Sequence, residues 1–313
     1  MTLKPRNALL AGRRARAGAA FLAVSVILAA TSVSVDLAIS GIAAPEWRET
    51  VAIASSLIGG VAVWGALPLG LLLLLTAGHP SPWRSWSALA AAVAAPVLVW
   101  WSGLAHSAFL ILVALVAAVG GYALIAAGIG GRGARTGSRR AAIAAIIVSV
   151  LVEVAVVAIG LMHLLVWNPV AKIPDLDLAQ IYDVIGTRDP GPSGWAIGSV
   201  LVTVVATVFA VRGVRAGLVD AHDIATGGLL LVHATTFFLW WAGFGLGMTI
   251  ADSFATTGYD ASPAGALLAL AGAVCLAVAI LMQIPGAGLG GSAEPSTDEP
   301  GTAESTPSTR VTP

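Results

Sequence analysis

Three ionisable residues, Glu153, His233 and Asp36, lie inside long apolar stretches of the sequence. A carboxyl or imidazole group can bind and release a proton, and a carboxylate can also bind a cation. A charge at the centre of a bilayer costs about 2.5 to 3.5 kcal/mol on insertion scales, so such groups usually face a bundle interior or a wet cavity. The sequence therefore predicts an ion, proton or substrate site in the bundle core. The alternative is a structural hydrogen bond that fixes helix packing.

Small and polar residues share a helix face with Glu153. Ser149, Glu153 and Gly160 follow one another at i−4, i and i+7, whereas the neighbouring positions are mostly Val, Leu, Ile and Ala. Because small residues mark helix contacts within bilayers, Glu153 is expected to face protein. His233, at a similar predicted depth on another helix, is its best candidate partner. His163, ten residues beyond Glu153, is predicted to reach the lipid–water interface.

Polar stripes of the same kind run along other apolar stretches, and we interpret them as helix contacts. The members of these stripes are Ser25, Ser32, Ser149, Thr203, Thr207 and Thr236. In the second apolar stretch, Ala52, Ser56 and Gly60 are predicted to form the face for close packing. Pro68 in the same stretch and Pro96 in the next are predicted to kink or break their helices.

Composition indicates what surrounds these residues. Of 313 residues, 58% are hydrophobic and only 10% are charged, and the mean hydropathy is +0.91. A soluble domain carries about 25% charged residues, so the chain is predicted to be an integral membrane protein. The formal net charge of zero argues against a nucleic-acid partner.

The predicted fold is an all-α, polytopic membrane bundle of eight spanning helices, because a span needs about 20 apolar residues. The predicted spans cover residues 19–42, 51–77, 86–101, 104–129, 141–166, 195–211, 225–250 and 263–284. A basic segment, 1–18, precedes the bundle at 19–284. A tail rich in Gly, Pro, Ser, Thr and Glu, 285–313, follows it and is predicted to be disordered.

Arginine and lysine indicate the orientation, because positively charged loops stay in the cytoplasm. With the N-terminus inside, 13 of these residues fall on inner segments and three on outer segments. Both termini are therefore predicted to be cytoplasmic. Helical spans are typical of the cytoplasmic membrane of a bacterium, whereas barrels prevail in the outer membrane.

The longest predicted outer loop, 167–194, contains a short amphipathic helix. Leu178, Ile181, Tyr182 and Ile185 fall on one face, and Asp175 and Gly186 are predicted to cap its two ends. This helix either closes a loop on the surface or forms a lid over a pathway.

No catalytic residue, cofactor or metal site is predicted. The zinc-binding patterns HxxxH and HExxH and the P-loop are absent from the sequence, and the histidines follow no haem-binding signature. The single cysteine, Cys275, excludes a disulfide or a thiolate metal cluster within one chain.

Two functions remain from these observations. The first is a transporter or permease for a small solute or ion, with proton coupling as an option, and Glu153, His233 and Asp36 as the site. The alternative is a non-catalytic subunit or scaffold of a membrane complex. The predicted partners are the lipid bilayer and either a second copy of the chain or another protein of a membrane complex.

Overall fold

The computed structural model describes residues 12–40, 45–77, 86, 89–90, 92–97, 138–186, 190–258 and 260–283. The helices are α1 (Arg13–Ser40), α2 (Pro45–Gly60), α3 (Leu67–Leu75), α4 (Arg139–Met162), α5 (Asn168–Lys172), α6 (Leu178–Ile185), α7 (Gly191–Arg215), α8 (Ala221–Phe254) and α9 (Pro263–Met282). Two π-helical segments join them, π1 (Val61–Ala66) between α2 and α3 and π2 (His163–Trp167) between α4 and α5. These described residues contain no β-strand.

Six helical segments among the described residues are long and apolar enough to cross a membrane. They are Arg13–Val35, Trp47–Leu75, Arg139–Lys172, Gly191–Arg215, Ala221–Phe254 and Pro263–Met282. The prediction of an all-α polytopic membrane bundle is therefore confirmed. The predicted span 104–129 and the tail 285–313 lie outside the described residues, and span 86–101 is described only in part, with 92–97 helical. The count of eight and the cytoplasmic termini stay predictions.

The side chains are distributed as expected for a bundle in lipid. On α7, the large apolar residues Ile197, Leu201 and Val204 are exposed, whereas Ser199 and Thr203 are buried against other helices. Because lipid tails are as apolar as these side chains, small and polar residues gain most from the contacts between helices. The exposed apolar side chains therefore form the lipid-facing surface.

The helices pack in two groups joined by α8 and α9. One group is α4, α7 and α8, each in contact with the other two, and the other is α1 with α2, α3 and α9. The α8–α9 contact connects them. At 34 residues, α8 is the longest described helix, about 51 Å along its axis, whereas the hydrocarbon core is about 30 Å thick.

Hydroxyl groups hold α1 against the second span. Ser32 Oγ donates to the Ser55 carbonyl at 2.9 Å, and Ser55 Oγ donates to the Ser32 carbonyl at 2.8 Å. Ser25 Oγ donates to the Ala62 carbonyl of π1 at 2.9 Å. Ser25 and Ser32 thus both bond to a neighbouring span.

The packing face predicted for the second span is wrong by one residue. Ser55 is buried, and a side chain on Gly59 would collide with Ser32, whereas Ser56 is exposed and Gly60 has open space beside it. One residue corresponds to about 100° of rotation, so the observed face lies on a different side of the helix from the predicted one.

Each π segment ends two residues before a proline that lies in the first turn of the next helix. Pro68 follows π1 and Pro169 follows π2. A proline has no N–H for the carbonyl four residues earlier, and its ring clashes with that carbonyl. A wider π turn relieves the clash. The helix therefore widens before Pro68 instead of breaking.

The segment predicted as the longest outer loop contains the short helix α6. Its N-cap is Asp177, not the predicted Asp175, because Asp177 and Gln180 form a reciprocal capping box at 2.8 and 2.9 Å. Gly186 ends the helix with φ 72°, a left-handed conformation that favours glycine. Ile181 and Ile185 pack against Ile173, Leu246 and Ile250, so α6 lies on α5 and the end of α8. We call this end of the bundle the outer end, following the predicted orientation.

Substituting Ser55 and Ser56 separately tests which face of the second span packs on α1. We expect Ser55→Ala to lower the free energy of unfolding by about 0.5 to 1.5 kcal/mol, because it removes the hydroxyl that donates to Ser32. Ser56→Ala should have no measurable effect, since that side chain is exposed. Denaturant titration of the protein in mild detergent measures both values, and equal losses would contradict the observed face.

Candidate functional site

Glu153 lies on α4 and is 1% exposed. The hydroxyl group of Thr235 on α8 donates to its Oε1. Its Oε2 is buried and has no hydrogen-bond partner among the described residues. A buried carboxyl oxygen without a donor is costly, and native structures usually satisfy it. The Glu153 carboxyl group is therefore hydrogen-bonded at Oε1 and unpaired at Oε2.

Close helix contacts above and below fix the position of Glu153. One turn before it, Ser149 packs against Gly228 of α8, where any added side chain would collide. Two turns after it, Gly160 leaves space for Trp195 and Leu239. Glu153 therefore faces the interface between α4 and α8.

Thr235 is the residue that joins three helices at this site. Its hydroxyl contacts Glu153 of α4, and its carbonyl accepts the indole N–H of Trp195 from α7 at 3.0 Å. The predicted stripe residue on this helix was its neighbour, Thr236. The Thr236 hydroxyl donates within its own helix, to the carbonyls of Val232 at 3.0 Å and His233 at 2.9 Å.

His233 is not the partner of Glu153 in the structure. Its Nδ1 lies 3.1 Å from the Gly272 carbonyl of α9, and a carbonyl only accepts, so Nδ1 carries the hydrogen. Residues 233 and 235 point about 200° apart around α8, so Thr235 faces α4 while His233 faces α9. Asp36 lies in α1, but its side chain is outside the described set, and its predicted role stays a prediction.

The remaining stripe residues have local roles. Thr203 Oγ1 donates to the Ser199 carbonyl of its own helix at 2.7 Å. Thr207 is only half-buried. The sequence stripe on α7 thus marks its buried side near Ser199 and Thr203, without a hydrogen bond to another helix at either residue among the described contacts.

A second polar cluster lies at the outer end, and sequence reasoning missed it. His163 was predicted to lie at the lipid interface, yet it is 1% exposed, and its Nε2 lies 3.2 Å from Asp260 Oδ2. Asn168 donates to Asp260 Oδ1 at 3.1 Å and accepts from the backbone N–H of Ala261 at 2.8 Å. Gly265 makes room for the cluster, because a side chain there would meet both His163 and Asp260. We call His163, Asn168, Lys172 and Asp260 the outer cluster.

Two polar atoms of the outer cluster have no hydrogen-bond partner in the described part of the chain. They are His163 Nδ1 and Lys172 Nζ, and both atoms are buried. Asp260 attracts Lys172 electrostatically without bonding to it. The outer cluster is therefore held together around Asp260 but leaves donors and acceptors unused.

An apolar layer separates the outer cluster from Glu153. Val156 and Val157 of α4 pack with Trp195 and Leu239 between the two depths, and Leu164 of π2 belongs to the same apolar cluster. Ten residues of helix place His163 about 15 Å from Glu153 along α4. The bundle thus has two polar sites with packed side chains between them.

The described residues contain no group of three or more His, Cys, Asp or Glu side chains that could hold a metal ion. No protein-family model, curated protein or solved structure matches this chain.

Tyr182 attaches α6 to the outer end, and a double substitution tests why. Its hydroxyl donates to the Leu165 carbonyl at 2.9 Å, the carbonyl that an α-helix would pair with residue 169, a proline. We expect Tyr182→Phe to cost about 1 kcal/mol of unfolding free energy. In a Pro169→Ala background, which restores the missing N–H, the same change should cost less. Denaturant titration measures both costs. An equal cost in both backgrounds would show that Pro169 does not affect the contribution of the Tyr182 hydrogen bond.

Proposed function

We propose that this protein is a membrane transporter or permease for a small solute or ion, and that Glu153 binds the proton or cation that accompanies transport. The observation that carries the proposal is the state of its carboxyl group: buried between α4 and α8, bonded at Oε1, and unpaired at Oε2. Ionisable groups at this depth usually belong to ion pathways or proton relays.

The surroundings of Glu153 support an exchangeable site over a purely structural bond. A carboxyl group with a purely structural role stabilises the fold most when both of its oxygens accept hydrogen bonds. Among the described residues, only Thr235 donates to the Glu153 carboxyl group. A proton or a small cation on Oε2 would complete the site. His233 and Asp36 keep their proposed roles as further members of the ion pathway, and His233 faces α9 at a neighbouring position on α8.

Further support comes from the apolar layer next to Glu153. A transporter has to keep its binding site closed to one side while it is open to the other. Val157, Trp195 and Leu239 pack together between Glu153 and the outer cluster in the present conformation. Opening requires α4, α7 and α8 to move apart. We extend the proposal to the cytoplasmic membrane of a bacterium, for which the apolar helical spans are the support, since barrels prevail in the outer membrane.

Replacing Glu153 by Gln tests the proposal directly. We expect Glu153→Gln to reduce solute-dependent proton flux to the level of empty vesicles, because the amide binds no exchangeable proton at this site. The measurement uses proteoliposomes with an entrapped pH indicator and a mixture of amino acids, sugars and organic acids. Glu49→Gln, at an exposed residue of α2, is the matched control and should keep full flux.

The same variants give a readout that needs no solute. A change of pH should alter the infrared band of the protonated Glu153 carboxylic acid. This pH-dependent band should be absent from Glu153→Gln and present in Glu49→Gln. Unchanged flux in Glu153→Gln would remove this residue from transport. If a stoichiometric partner also copurifies, the result favours the alternative function, a non-catalytic subunit of a membrane complex.

Thr235 and Thr236 provide a second matched pair. We expect Thr235→Val to slow flux, to displace the infrared band of Glu153 and to cost about 1 to 3 kcal/mol of unfolding free energy, since Glu153 loses its donor. Thr236→Val should leave both flux and the infrared band unchanged, because its hydroxyl bonds within α8. A larger flux effect from Thr236→Val would contradict the assigned contact.

A further inference from the structure

The ammonium group of Lys172 is the least satisfied charge in the outer cluster. Nζ has three N–H donors and no hydrogen-bond partner among the described residues, although the atom itself is buried. A buried charge normally requires a partner, because leaving water without one is costly. The missing acceptor is therefore expected from a bound molecule.

Asp260 provides the opposite charge at the same place. Its two oxygens accept from His163 at 3.2 Å and Asn168 at 3.1 Å, and its side chain is 27% exposed. A carboxylate has about four acceptor positions, so it retains capacity for a further donor. His163 and Asn168 are positioning residues that fix this carboxylate.

Charge decides which class of molecule fits between Lys172 and Asp260. A simple anion is attracted by Lys172 but repelled by Asp260, and a simple cation is attracted by Asp260 but repelled by Lys172. A molecule that carries a carboxylate and an ammonium group is attracted at both ends. The pair is neutral in sum, so it favours a solute that is also neutral in sum.

α8 and the segment that follows it lie beside Lys172. A Cβ on Gly247 of α8 would lie 3.7 Å from Lys172 Nζ and 3.4 Å from the Gly258 carbonyl, so the backbone of α8 lies close to the ammonium group. Next to these residues in sequence, Ile173 and Leu246 pack under Ile181 of α6. α6 therefore packs on the residues that adjoin Lys172 and Gly247 in the sequence.

We propose that Lys172 and Asp260 bind the carboxylate and the ammonium group of a small zwitterionic solute of the amino-acid type, with α6 as the roof of the site. This inference names a substrate class and rests on the proposed transport function. The solute would bind at the outer cluster before it reaches the level of Glu153, beyond the apolar layer.

Ligand-dependent thermal stability of the purified protein tests the site without a gradient. Glycine, β-alanine and γ-aminobutyrate serve as zwitterions with increasing separation of charges, and acetate and methylammonium serve as single charges. We expect at least one zwitterion to raise the melting temperature in a saturable manner, whereas acetate and methylammonium do not. Stabilisation by acetate equal to that by the zwitterions, or no stabilisation by any zwitterion, overturns the proposal.

Substitutions of Lys172 and Asp260 test whether these two residues bind the zwitterion. We expect Lys172→Gln to weaken zwitterion binding about tenfold to a hundredfold, as for the loss of a charged hydrogen bond. Arg48→Gln removes an exposed charge from α2 and should leave affinity unchanged. Asp260→Asn should also weaken binding. Because Asp260 also holds His163 and Asn168 in place, the melting temperature of the ligand-free Asp260→Asn variant is measured as well. Wild-type affinity in Lys172→Gln overturns the assignment even if Asp260→Asn fails to fold.

The two proposals fail separately. Zwitterion binding that is lost in Lys172→Gln, together with unchanged flux in Glu153→Gln, supports the outer site and contradicts the transport role of Glu153. Flux that depends on Glu153 without zwitterion binding at Lys172 supports transport and contradicts the substrate class.

Discussion

The hydrocarbon core of a membrane offers no hydrogen-bond partner, and this constraint determines how the bundle is assembled. Each polar side chain on a spanning helix has to bond to its own backbone, to another helix or to a bound species. Thr203 and Thr236 use the first solution, and the Ser32–Ser55 pair uses the second. The Oε2 atom of Glu153 has neither among the described residues, and for that reason it stands apart from the structural contacts.

Thr235 shows how one residue can serve packing and a site together. The indole of Trp195 bonds to its carbonyl, and its hydroxyl bonds to Glu153. The orientation of α7 is thereby tied to the position of the carboxyl group on α4. Any separation of these helices changes the environment of the Glu153 carboxyl group, because Thr235 and Trp195 move with α8 and α7.

The sequence predicted the class of fold and the burial of Glu153, because hydropathy and helical periodicity are local properties. It did not predict which residues meet, since that depends on the rotation of each helix. On the second span, the predicted packing residue Ser56 is one position from the observed one, Ser55. On α8, the predicted partner of Glu153, His233, is two positions from the observed one, Thr235. The outer cluster was beyond sequence reasoning for another reason: Asn168 and Asp260 are 92 residues apart, and a loop and a π segment bring them together.

The length of α8 gives the two faces of the membrane a mechanical connection. It runs without interruption from the Asp220 cap to Phe254, about 51 Å, and it contacts α6 at one end. A rigid rod of that length amplifies small rotations: a tilt of about 5° around one end displaces the other by about 4 Å. A shift of that size exceeds the length of a hydrogen bond. A rearrangement at the end of α8 near Asp220 can therefore act on α6, which packs at the other end.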